Sequence, residues 1–172
     1  LSEVSKILSG DNEKEVLIYF SQNHILFAFD DTIVISRLIE GEYFRISQML
    51  SSDYETKVTV NKREFLDAIE RATILIREND KKPLIINIQD ENMQLKLTSS
   101  FGSMNADILM HKTGKDIMIG FNPKFLIDAL RAIDDEEIHI YLMNPKSPCF
   151  IKDDEEQYIY LILPVNFNAA SV

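Results

Sequence analysis

The layout of the chain repeats, and no other feature of the sequence restricts the fold so tightly. Val58-Thr-Val-Asn61 matches Ile119-Gly-Phe-Asn122 at an offset of 61, each an apolar run leading into an asparagine. In the stretches that follow, Asp67-Ala68-Ile69 falls on Asp128-Ala129-Leu130 at the same offset. At twice the offset, 122, Leu8 falls on Leu130, Val16 on Ile138, and Ile18-Tyr19-Phe20 on Ile140-Tyr141-Leu142. Each match is short, but all agree on one period. A unit of about 61 residues therefore reads strand, helix, then three strands. Residues 53–112 make one such unit and 113–167 another, together a two-helix module, while 1–52 make a unit without its first strand. A unit short of its opening strand leaves a sheet edge unpaired. We therefore expect this chain to be part of a longer one, cut within an earlier module.

Local signals fill in the units. Short segments rich in β-branched and aromatic residues predict strands at Val16–Phe20, Ile25–Phe29, Thr32–Ile39, Thr56–Val60, Leu84–Gln89 and Met93–Ser99. Further strands are predicted at Ser103–His111, Asp116–Phe121, Glu137–Met143, Cys149–Lys152 and Gln157–Leu163. Helices are few. Asn61 with Glu64 three residues on has the form of a capping box and predicts a helix to about Arg77. Asn122 followed by Pro123 is a cap with proline at the first helical position, opening a helix to about Ile133. A short helix from Leu1 to about Ser9 ends at Gly10. The expected fold class is α+β.

Composition narrows the function classes. The 172 residues suffice for a sizeable core, and 45% hydrophobic with 27% charged residues is the balance of a globular protein. No apolar run approaches the roughly 20 residues that cross a bilayer, and no secretory signal opens the chain. The single cysteine, Cys149, rules out an internal disulfide and fits a reducing, cytoplasmic setting. His24, His111 and His139 are too scattered to suggest a metal site, and no cofactor motif is present. There is no glycine-rich phosphate loop, Gly-x-Ser-x-Gly elbow or His-Glu-x-x-His helix. Two acidic runs, Asp134–Glu137 and Asp153–Glu156, read as solvated turns between strands. The expectation is a protein that is not an enzyme.

A net charge of −10 argues against a nucleic-acid partner until its distribution is considered. On the helix after Asn61, Phe65, Ile69, Ala72 and Ile76 share the face that must pack, while Arg63 and Arg71 point away among Asp67 and Glu70. That mixed face suits water as well as phosphate. On the helix after Asn122, Phe125, Leu126, Ala129, Leu130 and Ile133 gather on one side and Lys124 and Arg131 on the other. Lys6 likewise lies opposite Val4 and Leu8. Ile74 projects about 170° from the Phe65 stripe, so the helix exposes it near its end, beside Leu75. Past the last strand, Pro164 ends any ladder. Val165 and Phe167 then read either as a core-packed end or as one wall of an apolar groove for a partner peptide.

These residues resemble those of a known family, the bacterial sliding clamps, beta subunits of DNA polymerase III. The resemblance is carried by Leu38-Ile-Glu-Gly-Glu-Tyr43, Ala68-Ile-Glu-Arg-Ala-Thr-Ile-Leu75, Ile119-Gly-Phe-Asn122 with Phe125-Leu-Ile-Asp-Ala-Leu130, and Tyr160-Leu-Ile-Leu-Pro164. They lie in order over nearly the whole chain. The resemblance implies a DNA-clamp fold, with antiparallel sheets outside and helices on one face. It makes residues 1–52 the second half of a middle module and 53–172 a complete third module. Three modules per chain and two chains per ring would encircle duplex DNA. Lys6, Lys62, Arg63, Arg71, Lys124 and Arg131 become candidate channel residues with non-specific, salt-sensitive contacts.

The resemblance also implies a pocket for short peptide motifs of the replicative polymerase, the clamp loader and repair proteins. Its walls here would be Phe44, Gln48, Met49, Phe125, Lys146, Pro148, Leu161, Leu163, Pro164, Val165 and Phe167. Phe44 stands where the family commonly has proline, Gln48 where it has arginine, and Asn166-Phe167 where it often ends in arginine–leucine. Ile74 and Leu75 match positions of the homodimer contact. Without a first module, this chain is expected to be monomeric. Two rival readings are a stand-alone peptide-binding adaptor that never surrounds DNA and a small hydrolase using an acidic run. No membrane partner is implied.

Overall fold

Alternating apolar residues put all eleven expected strands in place. The computed structural model describes residues 2–8, 15–42, 53–77, 82–155 and 157–167, which divide by contacts into two units, Leu1–Leu50 and Ser51–Val172. The first unit holds α1 (Ser2–Ile7) and the strands β1 (Leu17–Phe20), β2 (His24–Phe29) and β3 (Thr32–Arg37). The strands form an antiparallel sheet in that order, with Leu26 of β2 between Tyr19 and Ile35. Its small core consists of Val4, Phe27 and Phe29, backed by Val16, Ile25 and Val34. Leu8, expected on the packed side of α1 with Val4, is instead exposed.

The second unit contains two complete copies of the repeat. The first is β4 (Thr56–Asn61), α2 (Lys62–Thr73), β5 (Leu84–Gln89), β6 (Asn92–Ser99) and β7 (Gly102–Gly114). The second is β8 (Ile117–Phe121), α3 (Pro123–Ala132), β9 (Glu137–Leu142), β10 (Cys149–Lys152) and β11 (Ile159–Ile162). The copies exchange strands. The sheet order is β11-β10-β9-β4-β7-β6-β5-β8, so β4 pairs with β9 of the other copy and β8 with β5. All these pairs are antiparallel. The 13-residue β7 joins the halves, pairing with β6 through Leu109 and with β4 from Met110 onward.

One core unites the copies. Phe65, Ala68, Ile69 and Ala72 of α2 and Leu126, Ala129 and Leu130 of α3 are buried with Val58, Leu84, Leu95, Ile119, Ile138 and Ile151 of the sheet. Fully burying one such Leu or Phe contributes roughly 1.5–3 kcal/mol. Asn61 caps α2 by accepting the Glu64 amide at 3.0 Å, and Asn122 caps α3 by accepting that of Lys124 at 3.1 Å. The helix α2 stops at Thr73, short of the expected Arg77. From Ile74 on, the amides bond carbonyls three residues back rather than four: Ile74 to Arg71, Leu75 to Ala72 and Ile76 to Thr73. The Thr73 hydroxyl also donates to the Glu70 carbonyl at 2.7 Å, competing with the helical bond there.

Candidate functional site

Eight strands leave two free edges, on β11 and on β8, and the residues after β11 run from one to the other. Pro164 has no N–H to donate. The amide of Val165 donates to the carbonyl of Gly120 on β8 at 2.8 Å. Phe167 follows and lays its ring against Gly120, where an added Cβ would stand 2.7 Å from Cδ1. Residues 163–167 are therefore a strap that links the two ends of the strand order. Of its apolar residues, Leu163 is 58% exposed and Val165 36%.

Register places several expected wall residues together. Cys149 of β10 pairs with Ile162 of β11 and Phe150 with Leu161, so Pro148 and Leu163 lie one step beyond the last pair. Lys146 is exposed in the preceding turn, which is held by Asn144: its Oδ1 accepts the amides of Lys146 and Ser147, both at 2.9 Å. Phe125, in the first turn of α3, is 54% exposed, and α3 packs against β11. Phe44, Gln48 and Met49 lie outside the described residues, as does Tyr43.

The basic candidates divide into committed and exposed groups. The Lys62 ammonium donates to the carbonyl of Ile133 at 2.6 Å, closing the C-terminal end of α3. Arg131 pairs with Glu70 across the two helices, Nη2 at 2.9 Å and Nε at 3.2 Å from one carboxylate oxygen. Lys6 pairs with Glu3 at 2.8 Å. Arg63, Arg71 and Lys124 are exposed. Ile74 is 81% exposed, as the helical geometry requires, whereas Leu75 packs partly against the core.

Sequence reasoning missed three features. Glu70 was read only as a charge on a mixed face. Gly120 carries its own signal, since a glycine inside an apolar strand marks close approach of another group. Near the end of α2, Arg77 lies over the ring of exposed Phe101, 4.4 Å from its centroid.

Residues 134–137 of one acidic run and 153–155 of the other line one cavity of about 750 Å³ with His139 and Tyr158. Burial, reinforced by the Asp135 carboxylate that accepts its proton at 2.7 Å, raises the Tyr158 phenol well above the ordinary range. On the adjoining sheet face, Asp154 accepts from Lys57 Nζ at 3.1 Å and from the Tyr141 hydroxyl at 3.2 Å. The Lys57 ammonium holds the Asp154 carboxyl below its usual value. Among the described residues, no group of three or more His, Cys, Asp or Glu is arranged to hold a metal ion. Burial pushes the Cys149 thiol up to about 12, the behaviour of a core side chain rather than a nucleophile. No helix of the described residues is long and apolar enough to cross a membrane.

Comparison with known proteins identifies this arrangement. The family profile described as DNA polymerase III beta subunit, C-terminal domain, matches residues 47–166. The beta sliding clamp of Staphylococcus aureus is 33% identical over 168 residues, which are 96% of this chain and 44% of that protein. A solved structure from Eubacterium rectale, described as a DNA polymerase III beta subunit, is 65% identical with a TM-score of 0.88, covering 98% of this chain and 46% of that one. The DNA polymerase sliding clamp of Bacillus subtilis is 30% identical with a TM-score of 0.83, covering 97% and 45%. The chain thus spans less than half the length of these relatives. With its repeated units and their order matched over nearly its whole length, the chain belongs to the family of DNA polymerase III beta subunits, the sliding clamps.

Proposed function

We propose that this chain supplies one module and part of another to a ring that surrounds duplex DNA and holds a replicative polymerase on it. Residues 53–172 would be the third module of the full protein and residues 1–52 the closing half of the second. The function is topological, not catalytic: a closed ring slides without reading sequence, and its bound polymerase cannot diffuse away. Arg63, Arg71 and Lys124 would face the duplex, where their contacts to phosphates are non-specific and weaken with salt. An acidic body is compatible with that role, because only the lining need meet phosphate. Work inside a reducing cytoplasm fits a lone buried Cys149.

The observation that carries the tethering role is the strap, which leaves Leu163 and Val165 exposed, Leu163 one register step from Pro148. A short apolar peptide from a polymerase, clamp loader or repair protein would cover them, with Phe125, Leu161 and Phe167 as further walls. Ile74, with Leu75, would meet the first module of a second chain in the full-length homodimer. An isoleucine 81% exposed at the end of a helix suits such a contact.

The test is a fluorescence-polarisation titration of this chain with a labelled Gln-Leu-Ser-Leu-Phe peptide, against a version ending at Leu163. Saturable binding that disappears in the shortened version supports the pocket. Equal binding by both places the peptide elsewhere, and binding by neither removes the tethering role.

A further inference from the structure

The two copies of the repeat differ at one strand position where a glycine replaces a side chain. Thr59 of β4 and Gly120 of β8 hold the same place, 61 residues apart. Beside Thr59 runs a full strand: β4 is laddered to β7 from Thr56 to Val60, with His111 opposite Thr59. At Gly120 the neighbour is the strap. Among the described residues it makes one backbone bond to β8, from Val165 to the Gly120 carbonyl. A Cβ on residue 120 would stand 2.7 Å from Cδ1 and 3.3 Å from Cε1 of Phe167, and 3.0 Å from the Val165 carbonyl oxygen. Carbon atoms in good contact stand about 3.5–4.0 Å apart. Gly120 is not among the glycines with positive φ, so its backbone does not require glycine. A glycine within a strand weakens it. The space it leaves is the space the Phe167 ring fills.

We propose that Gly120 is a positioning residue for the peptide pocket. By admitting the Phe167 ring it seats the strap, and the seated strap fixes the exposed faces of Leu163 and Val165 that an apolar peptide side chain meets. A chain end without such an anchor frays, and frayed residues make a binding wall only after being ordered again. This inference rests on reading the strap as a wall of the pocket.

The experiment combines amide hydrogen exchange at Val165, followed by NMR, with the same labelled-peptide titration. In G120A the added methyl displaces Phe167. Exchange at Val165 is expected to accelerate about tenfold or more, and peptide affinity to fall by a similar factor. In G120A/F167V, valine lacks the ring atoms nearest the new methyl, and protection of Val165 is expected to return. A purely structural role for Gly120 would not be rescued by trimming Phe167. Unchanged exchange in G120A overturns the inference, as does lost protection with affinity unchanged to within about twofold. Failure of the unsubstituted chain to bind overturns the pocket reading itself, and any part for Gly120 in recognition with it. Should G120A not fold, F167A removes the ring from the other side of the same contact: accelerated amide exchange at Val165 is expected, and unchanged exchange overturns the inference.

Discussion

Asp154 ties together side chains from two strands. It accepts from Lys57 of β4 and Tyr141 of β9, stands 3.7 Å from the His139 ring, and follows β10 by two residues. Tyr141 is packed in turn by Tyr54, edge-on at 5.0 Å, and by the Lys57 and Lys152 ammonium groups, each 5.2 Å from the ring centre. With Asp154 held below its ordinary 3.8, chiefly by the hydrogen bond from Lys57, the folded state binds this proton less readily than the unfolded chain. Its contribution is therefore complete above the unfolded value and is lost as pH falls through the folded one. We expect urea midpoints of the unsubstituted chain to exceed those of D154N at pH 6, and the gap to close as pH is lowered below 3.8. A gap that persists at low pH would assign the effect to packing. The effect is small, because the carboxylate is exposed and screened. None of this was legible in the sequence, where Asp154 is one of a run of four acids and Lys57 lies nearly a hundred residues away.

The elements were far more legible than the contacts between them. Strand alternation and two asparagine caps were enough to place β4, α2, β8 and α3, because a cap acts on amides two or three residues ahead and leaves a local signature. Replacing either cap by alanine is expected to cost about 1 kcal/mol in urea unfolding, N61A and N122A alike. A loss well under that from N122A alone would mean that Pro123 already fixes the start of α3. The end of α2 was harder to see. Ile76 continues the Phe65 stripe, and only the change in hydrogen bonding shows that the helix has stopped. The strap was half legible: Pro164 announced the end of β11, but no local rule tells Phe167 to seek a glycine on another strand.

At the scale of the molecule, strand exchange makes the second unit indivisible. Removing either copy of the repeat would break both the β4–β9 and the β5–β8 pairings. An exposed side chain such as Ile74 has no part in that cooperation. I74D is expected to leave the stability of this chain within about 0.5 kcal/mol, and sedimentation at micromolar concentration is expected to show a monomer with or without the substitution. A dominant dimer would mean that this chain closes contacts without a first module. The period of 61 residues made this architecture readable before any contact was known, since duplicated order survives when individual side chains do not.

The Arg131–Glu70 pair shows where the likeness of the two copies breaks. The two residues are 61 positions apart, so they hold the same place in the two copies, and they meet each other. Such self-contact occurs only on an axis of two-fold symmetry, where a surface faces its own image. Two identical copies would set like against like there, whereas these set opposite charges against each other. The pair is thus a place where the two copies depart from symmetry, one charge of each sign at equivalent positions.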